Sequence, residues 1–337
     1  MARRDQHVSL AHGNGGRLMR ELIEELFAPA LGNPLLDTRA DAVGVPTPED
    51  RELVVTTDGF TVQPLEFPGG DIGSLAVHGT VNDLAVAGAV PAYLSVSAFI
   101  EEGLELAQLD RLVASMAQAA RASAVRVAAG DTKVVPRGEG GGLYFSTTGV
   151  GIRRPGLRLG LERIVAGDAI LASGPVGDHG TAVLLAREQF GLRGDLASDA
   201  TSVLPLTAAL LGLPGLRFMR DPTRGGVATV ANEIARATGL TVRLTGAAIP
   251  IRPPVASVCE MLGFDPLYLA CEGRVVAVVS AQDADRALAA WRALPAGRDA
   301  ARIGSVQAGP PHVVLETELG GERCLEELED DPLPRIC

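Results

Sequence analysis

Chemistry in this chain can begin from a thiol at its last position and from carboxylates set beside apolar runs. Cys337 closes the segment Pro332-Leu333-Pro334-Arg335-Ile336-Cys337, which follows the acidic run 326–331. Each proline fixes its own φ and biases the residue before it away from helix, so the arm reads as extended and solvated. A thiol there can carry a group between a donor, a pocket and an acceptor; taken alone, a spare thiol on a frayed end is the favoured reading. Asp58 follows the strand-like run Leu53-Val54-Val55-Thr56-Thr57, and Asp131 follows a second one at 125–128. Carboxylates just beyond strand ends suit Mg²⁺, which takes few carboxylates and completes its shell with water and substrate phosphate. Asn82-Asp83 stands among Val81, Leu84 and Val86, where an unpaired charge would be costly. Lys133 alternates with Asp131, so the two share a face; a plain surface ion pair is the other reading. Glu272 is either a turn residue or a buried general base, and spacing does not decide between them.

Glycine-rich turns supply anion-receptive backbone. His12-Gly13-Asn14-Gly15-Gly16 precedes an amphipathic stretch at 17–31, in which Leu18, Leu22 and Leu26 recur every four residues. Arg220-Asp221-Pro222-Thr223-Arg224-Gly225-Gly226 precedes a helical stretch at 227–238, with Thr223 as a candidate cap. N–H groups at such helix starts receive anions. The first turn is neither a Walker loop nor a strand-linked G-x-G-x-x-G, and a plain N-terminal cap turn is an equal reading of it. His179, at another helix start, reads as a hydrogen-bonding residue before it reads as a base.

The elements that must position these groups fall into two sets. The first half reads β-α-β-α-β-β: strand 53–57, a small-residue helix at 72–88, strand 92–100, helix 106–122, strand 125–128 and strand 143–152. The second reads as strand 169–172, a helix after Gly180, helix 227–238, strands 267–271 and 274–280, helix 283–294 and strand 313–316. The expected division is an N-terminal segment at 1–40, a first domain at 41–155, a second at 156–320 and a flexible tail at 321–337.

Bulk composition narrows the class. In 337 residues, 47% are hydrophobic, enough for a sizeable core. A net charge of -11 and an aromatic content of 4% argue against nucleic acid as a partner. No apolar run approaches the ~20 residues that span a bilayer, and the basic start Ala2-Arg3-Arg4 runs into Asp5-Gln6-His7 rather than an apolar signal core. The expectation is a soluble cytoplasmic protein. Of four cysteines, Cys259 and Cys271 sit in apolar context, Cys324 reads as incidental, and no pair has C-x-x-C spacing.

Segments 12–16, 57–59, 68–70, 79–83, 130–135 and 221–226, with the terminal Pro334-Arg335-Ile336-Cys337, together resemble the HypE family of hydrogenase maturation factors, carbamoyl dehydratases of the PurM-like ATP-binding superfamily. The acidic and glycine motifs are shared across that superfamily; the terminal Arg-Ile-Cys singles out the family. The resemblance implies an α+β fold of two α/β-sandwich domains with an extended tail, and a homodimer that pairs the first domains. It implies ATP and Mg²⁺ in a cleft, with Asp58, Asp83 and Asp131 toward the metal. His12, Asn14, Gly15, Gly16, Thr57, Asn82, Asp131, Thr223 and Arg224 would face the nucleotide, and Lys133 and Glu272 would assist deprotonation. Cys337 would receive a carbamoyl group from the carbamoyltransferase HypF, ATP-dependent dehydration would turn it into a thiocyanate, and cyanide would pass to iron on the HypC–HypD complex for nickel–iron hydrogenase. Cys271 stands before Glu272 where the family pattern leads one to expect a small polar residue. Two other readings remain at this level: another PurM-like ATP-dependent synthetase, and a non-catalytic ATP-gated carrier of a Cys337 adduct. A selenophosphate synthetase would need a reactive residue near the N-terminus, and no cysteine precedes Cys259.

Overall fold

The structure is a computed structural model that describes residues 16–22, 24, 39, 43–46, 51–153, 155–187, 195–317 and 319–328. His12, Asn14, Gly15, Cys337 and the expected continuation of the first helix lie outside the described residues. In chain order the first half contains α1 (Arg17–Leu22), β1 (Val43–Pro46), β2 (Glu52–Phe60), a short hairpin of β3 (Glu66–Phe67) and β4 (Gly70–Asp71), α2 (Ile72–Val86), β5 (Ala89–Glu101), α3 (Leu106–Ala122), β6 (Arg126–Val135) and β7 (Leu143–Arg153). Five of the strands form a mixed sheet in the order β1-β2-β7-β5-β6, in which only β5 and β6 are parallel.

Helix α2 is apolar nearly all round, with Ile72, Leu75, Ala76, Val77, Val81, Leu84 and Ala85 all buried. A helix without a polar face must be covered on every side. It begins at a capping box, in which the Asp71 carboxylate accepts from Ser74 N at 2.9 Å and Asp71 N donates to Ser74 Oγ at 3.2 Å. One side of α2 lies on the five-stranded sheet beside α3, in a core with Phe60, Leu94, Val96, Leu112 and Met116.

The second half adds β8 (Ala169–Ala172), α4 (Asp178–Ala186), α5 (Leu204–Leu210), β9 (Leu216–Arg220), α6 (Gly226–Thr238), β10 (Thr241–Thr245), α7 (Pro253–Leu262), β11 (Val276–Val279), α8 (Ala284–Arg292), β12 (Ala301–Gln307), β13 (Val313–Glu316) and β14 (Glu322–Cys324). Its seven-stranded sheet has the order β14-β13-β10-β12-β8-β11-β9. The central strands Ala-Ile-Leu-Ala and Val-Ala-Val-Val are buried at every position, as short continuous apolar runs are when both faces of a sheet are covered. One face packs on α6 through Val227, Val230, Ala231 and Ile234. The other packs on α5 and α8, and there Ala85 and Val86 of α2 join the same cluster as Leu171, Leu206 and Trp291. Helix α2 therefore belongs to both cores.

Several expectations are corrected. Residues 267–271 form no strand; Pro266–Tyr268 is a single 3₁₀ turn, because Pro266 starts it and the Asp265 carboxylate accepts from Leu267 N at 3.0 Å. The boundary at residue 320 falls too early: β14 pairs with β13, and Leu325 beyond it is buried. Strands β9, β10 and β12 have no counterpart in the sequence reading. Among the described residues, no helix is long and apolar enough to cross a membrane.

The close approach of α2 and α3 yields a prediction. A Cβ at Gly73 would lie 2.0 Å from the Leu112 backbone oxygen, whereas one at Gly212 meets nothing within 4 Å. Gly73→Ala is expected to destabilise the protein by about 2 kcal/mol or more, and Gly212→Ala to stay within about 0.5 kcal/mol of the parent, in urea unfolding followed by circular dichroism.

Candidate active site

A cavity of about 570 Å³ lies where the two sheets and both ends of the described chain meet, within the size range of small-molecule pockets. The first half contributes Thr56, Asp58 and Phe60 of β2 with Gly79 and Asp83 of α2. From the second half come Arg220, Asp221, Thr223 and Arg224, then Glu233 and Arg236 of α6, and Glu272. Arg20, Glu24, Arg39 and Glu327 close the remaining wall. Alternation along β2 sends the side chains of Val54, Thr56, Asp58 and Phe60 toward α2, and Thr56 Oγ1 donates to Asp83 Oδ2 at 2.7 Å.

The Asp221 turn is built by its glycines. Gly225 and Gly226 have φ of +67° and +56°, a left-handed conformation that favours glycine. A Cβ at Gly226 would also lie 2.5 Å from the Leu267 carbonyl oxygen. Thr223 does not cap α6: its hydroxyl donates to Asp221 Oδ2 at 3.1 Å, and α6 starts from Gly225 without a side-chain cap. Arg224 reaches across to Asp58, Nη2 to Oδ1 at 3.4 Å.

Four carboxyl groups of the cavity are pushed above their ordinary range, each chiefly by burial. Asp58 is held up by burial while Arg224 pulls it down. Asp221 is raised by burial and by Asp58, against Arg220. Glu233 is raised by burial against Arg220, with Glu327 and Asp221 adding to the rise. Glu272, only 2% exposed, is raised furthest from its usual value, by burial and then by Asp221, Asp58 and Asp199. Its Oε1 has no hydrogen-bond partner. Oxygen donors that repel one another in this way are matched to a hard cation. Among the described residues no group of three His, Cys, Asp or Glu side chains holds a metal by itself, so a cation here would draw ligands from phosphate and water as well.

The structure separates the expected site residues. Asp58, Asp83, Thr57, Thr223, Arg224 and Glu272 border the cavity, although the Thr57 hydroxyl donates away from it, to Thr147 O at 3.0 Å. Asp131 and Lys133 do not line it. Both lie inside β6 rather than beyond its end, as an exposed ion pair at 3.6 Å. Register explains this: Asp131 aligns with Ser97, Ser146 and Gly59, whereas Asp58 aligns with Thr147, Val96 and Gly130. The two acids therefore project from opposite faces. Asn82 does not line the cavity either: buried, it donates both amide N–H groups, to Thr201 O at 3.0 Å and Glu272 O at 2.9 Å, and accepts from Val203 N at 2.8 Å. Gly16 is buried before α1 and does not line the cavity. His179 is buried against Ser198 Oγ at 2.8 Å and the Phe67 ring. Cys271 is turned into the core, where Gly177 N donates to its sulfur at 3.2 Å.

Asp221, Arg220 and Glu233 were assigned no role from sequence. Asp221 follows β9 as Asp58 follows an apolar run, so the signal was present, but the strand in front of it went unrecognised. Glu233 looks like any solvated helix position until α6 is seen against the cavity.

Two α/β halves sharing a carboxylate- and arginine-lined cavity define a two-domain, PurM-like protein, and family models agree. The model for AIR synthase related protein, N-terminal domain, matches residues 39–153, and that for the C-terminal domain matches 165–316. Over 336 residues the chain is 50% identical to a protein of Azotobacter vinelandii named carbamoyl dehydratase HypE, covering 99% of this chain and 98% of that one. It is similar to the structure of HypE in complex with ATP (TM-score 0.81, 43% identity, 98% of this chain and 100% of the other). It also resembles a HypE–HypF complex structure (TM-score 0.86, 40% identity, 91% and 99%). This chain belongs to the HypE carbamoyl dehydratase family.

Burial of Glu272 has a measurable consequence. A carboxyl whose folded pKa is raised contributes stability that is fully present below its unfolded value, 4.5, and is lost as pH rises through the folded value. Glu272→Gln, an uncharged isostere, is therefore expected to melt close to the parent at pH 5 and above it at pH 8, in ligand-free scans; equal melting temperatures at pH 8 would contradict the burial argument.

Proposed function

We propose that this protein uses ATP to dehydrate a carbamoyl group, carried as an S-carboxamide on Cys337, to a thiocyanate that supplies cyanide for the iron of nickel–iron hydrogenase. The observation that carries the reading is Glu272: a buried carboxyl facing a cavity that also holds Asp58, Asp83, Asp221 and several arginines. Family membership and the ATP complex of a related HypE support it. Chain length supports it too. Glu327 lines the cavity and Cys337 is the ninth residue after Leu328, a span of up to about 30 Å when extended.

An amide oxygen is a poor leaving group. In this reading it takes up the γ-phosphoryl group of ATP, the nitrogen gives up its two protons, and departure of phosphate leaves S–C≡N with ADP as the other product. Glu272 is the base. Its raised pKa makes it a stronger proton acceptor once ionised, and its ionised fraction grows with pH. Arg220 and Arg224 meet anionic oxygens of the nucleotide. Asp58, Asp83 and Asp221 line the cavity, and Mg²⁺ would take a carboxylate or two from among them and complete its shell with nucleotide phosphate and water; it would neutralise charge on a transferring phosphoryl group. Carrying the substrate on the chain's own end makes the reaction intramolecular. HypF would be the carbamoyl donor, as the HypE–HypF complex of a relative supports, and HypC–HypD the cyanide acceptor. Free thiols at Cys259, Cys271 and Cys324 suit the reducing cytoplasm.

The same reading includes a homodimer. The face of the five-stranded sheet opposite α2 exposes Val90, Tyr93 and Phe99, at 67%, 48% and 40%, beside Asp131 and Lys133. A second copy seated there would cover these side chains and could bring its own Asp131 and Lys133 toward the neighbouring cavity, which accounts for their position away from the cavity of their own chain.

Intact-mass analysis with HypF, carbamoyl phosphate and Mg·ATP tests the reaction. A carbamoyl adduct mapped to Cys337, followed by ATP-dependent loss of one water at a rate that rises with pH, is the expected course. Glu272→Gln should stop at the adduct, slowed by about 10²–10⁴-fold; an adduct that never loses water in the parent would mark a carrier instead. Phe99→Glu is expected to give a monomer by light scattering, with ATP-dependent water loss abolished; a dimer of undiminished stability would remove the assigned face.

A further inference from the structure

Glu272 cannot aim itself. Its Oε1 has no hydrogen-bond partner, so the direction of the carboxyl is left to the backbone that carries it. That backbone lies in irregular structure between the Pro266–Tyr268 turn and β11, where no ladder holds it. Side chains and loops from three other segments take the ladder's place. Glu272 N donates to Asp199 Oδ1 at 3.1 Å, and Gly273 N donates to Asp199 Oδ2 at 3.3 Å. On the other side, Asn82 Nδ2 donates to the Glu272 carbonyl at 2.9 Å. One residue earlier, Cys271 N donates to the Pro222 carbonyl at 3.0 Å.

Both holding groups are themselves immobilised. The Asp199 side chain is 2% exposed and paired with Arg274, Nε to Oδ2 at 3.3 Å. Arg274 in turn donates to the Pro175 carbonyl at 2.9 Å. Asn82 is anchored by Thr201 O and Val203 N, and it immediately precedes Asp83, which borders the cavity. A Cβ at Gly273 would lie 1.9 Å from the Asp199 carbonyl oxygen, so the two segments are in direct contact.

We infer that Asn82 and Asp199 are positioning residues for Glu272: they clamp the Glu272–Gly273 backbone from the two domains and so set where its carboxyl stands in the cavity. The inference rests on Glu272 being the base of the proposed reaction. Asn82 thereby acquires a role other than nucleotide contact. It joins the helix that presents Asp83 to the loop that presents Glu272, so the phosphate end and the base end of the site share one rigid connection. Misplacing a catalytic group by about 1 Å can cost about 10²-fold in rate, and loss of supporting groups typically costs about 10–100-fold.

The test uses the full chain carbamoylated at Cys337, following water loss and nucleotide binding separately. Asp199→Asn, near-isosteric, turns one acceptor into a donor facing an N–H; Asn82→Ser shortens the amide to a hydroxyl. Each is expected to lower kcat for water loss by about 10–100-fold while affinity for ATP, read with a fluorescent analogue, stays within about twofold. Combined with Glu272→Gln, each should add no further loss, because the group they aim is gone. If Asn82→Ser does not fold, by circular dichroism and melting, Asp199→Asn decides alone; its unchanged kcat, or an equal loss in the Glu272→Gln background, overturns the inference. Should Glu272→Gln itself leave water loss intact, the base assignment fails, an outcome that the single substitutions cannot mimic.

Discussion

Everything in this molecule is arranged around the need to cover α2. Fifteen residues with apolar side chains in every direction cannot lie on a surface, and a single sheet buries only one side of a helix. The first sheet and α3 take one side; α5, β9 and the core shared with Trp291 take the other. Two domains are thereby joined through one helix. The Asn82-Asp83 pair then falls at the seam. A buried amide must be satisfied, and Asn82 is satisfied by backbone of the second domain, while Asp83 next to it turns to the cavity.

The cavity concentrates charge that folding alone would not favour. Asp58, Asp221, Glu233 and Glu272 are raised chiefly by burial. Behind Glu272 lies a second buried network, in which Asp178 faces Arg252 at 3.3 Å and Arg274 at 3.6 Å. Burial and then Asp199 push the Asp178 carboxyl up to about 6, against the two arginines. Both networks set guanidinium groups against acids that also press on one another, Arg224 on Asp58 at 3.4 Å and Arg220 on Glu233 at 3.5 Å in the front one. What sets the front one apart is that it lines the cavity, where Glu272 Oε1 stands without a hydrogen-bond partner, as suits a surface awaiting a cation and a phosphate chain. Strain of that kind clusters where ligands bind.

Much of the site was legible from the chain. Asp58, Asp83, Glu272 and Arg224 were picked out as acids beside apolar runs or as residues of a glycine turn, and they meet in one cavity. Helices α3, α6 and α8 and strands β7 and β8 were legible because amphipathic periodicity or a continuous apolar run marks them locally. Strand β9 is hidden because Arg217 and Arg220 break its apolar run, unlike that of the shorter β8, and the role of Asp221 is hidden with it. The strand expected at 267–271 does not form because an apolar run says nothing about whether its N–H groups find a ladder; here those of Leu267, Tyr268 and Leu269 bond to Asp265 and Pro266 within the turn, and that of Cys271 to Pro222.

What the sequence determined by itself is composition, periodicity and motif: an acidic two-part α+β chain, a family of enzymes, and a set of carboxylates able to do the chemistry. Tertiary structure decided which of those carboxylates meet. Asp58 and Asp131 look alike in sequence and stand on opposite faces of one sheet, because the side-chain period is two and register across three intervening pairings places them one residue out of step. Asn82 is expected at the nucleotide, and in the fold its amide meets backbone of the second domain, because only the fold reveals which backbone groups face it. A residue's type is local, but its partners come from distant segments, 119 to 190 positions away for Asn82, and it is the partners that assign the role.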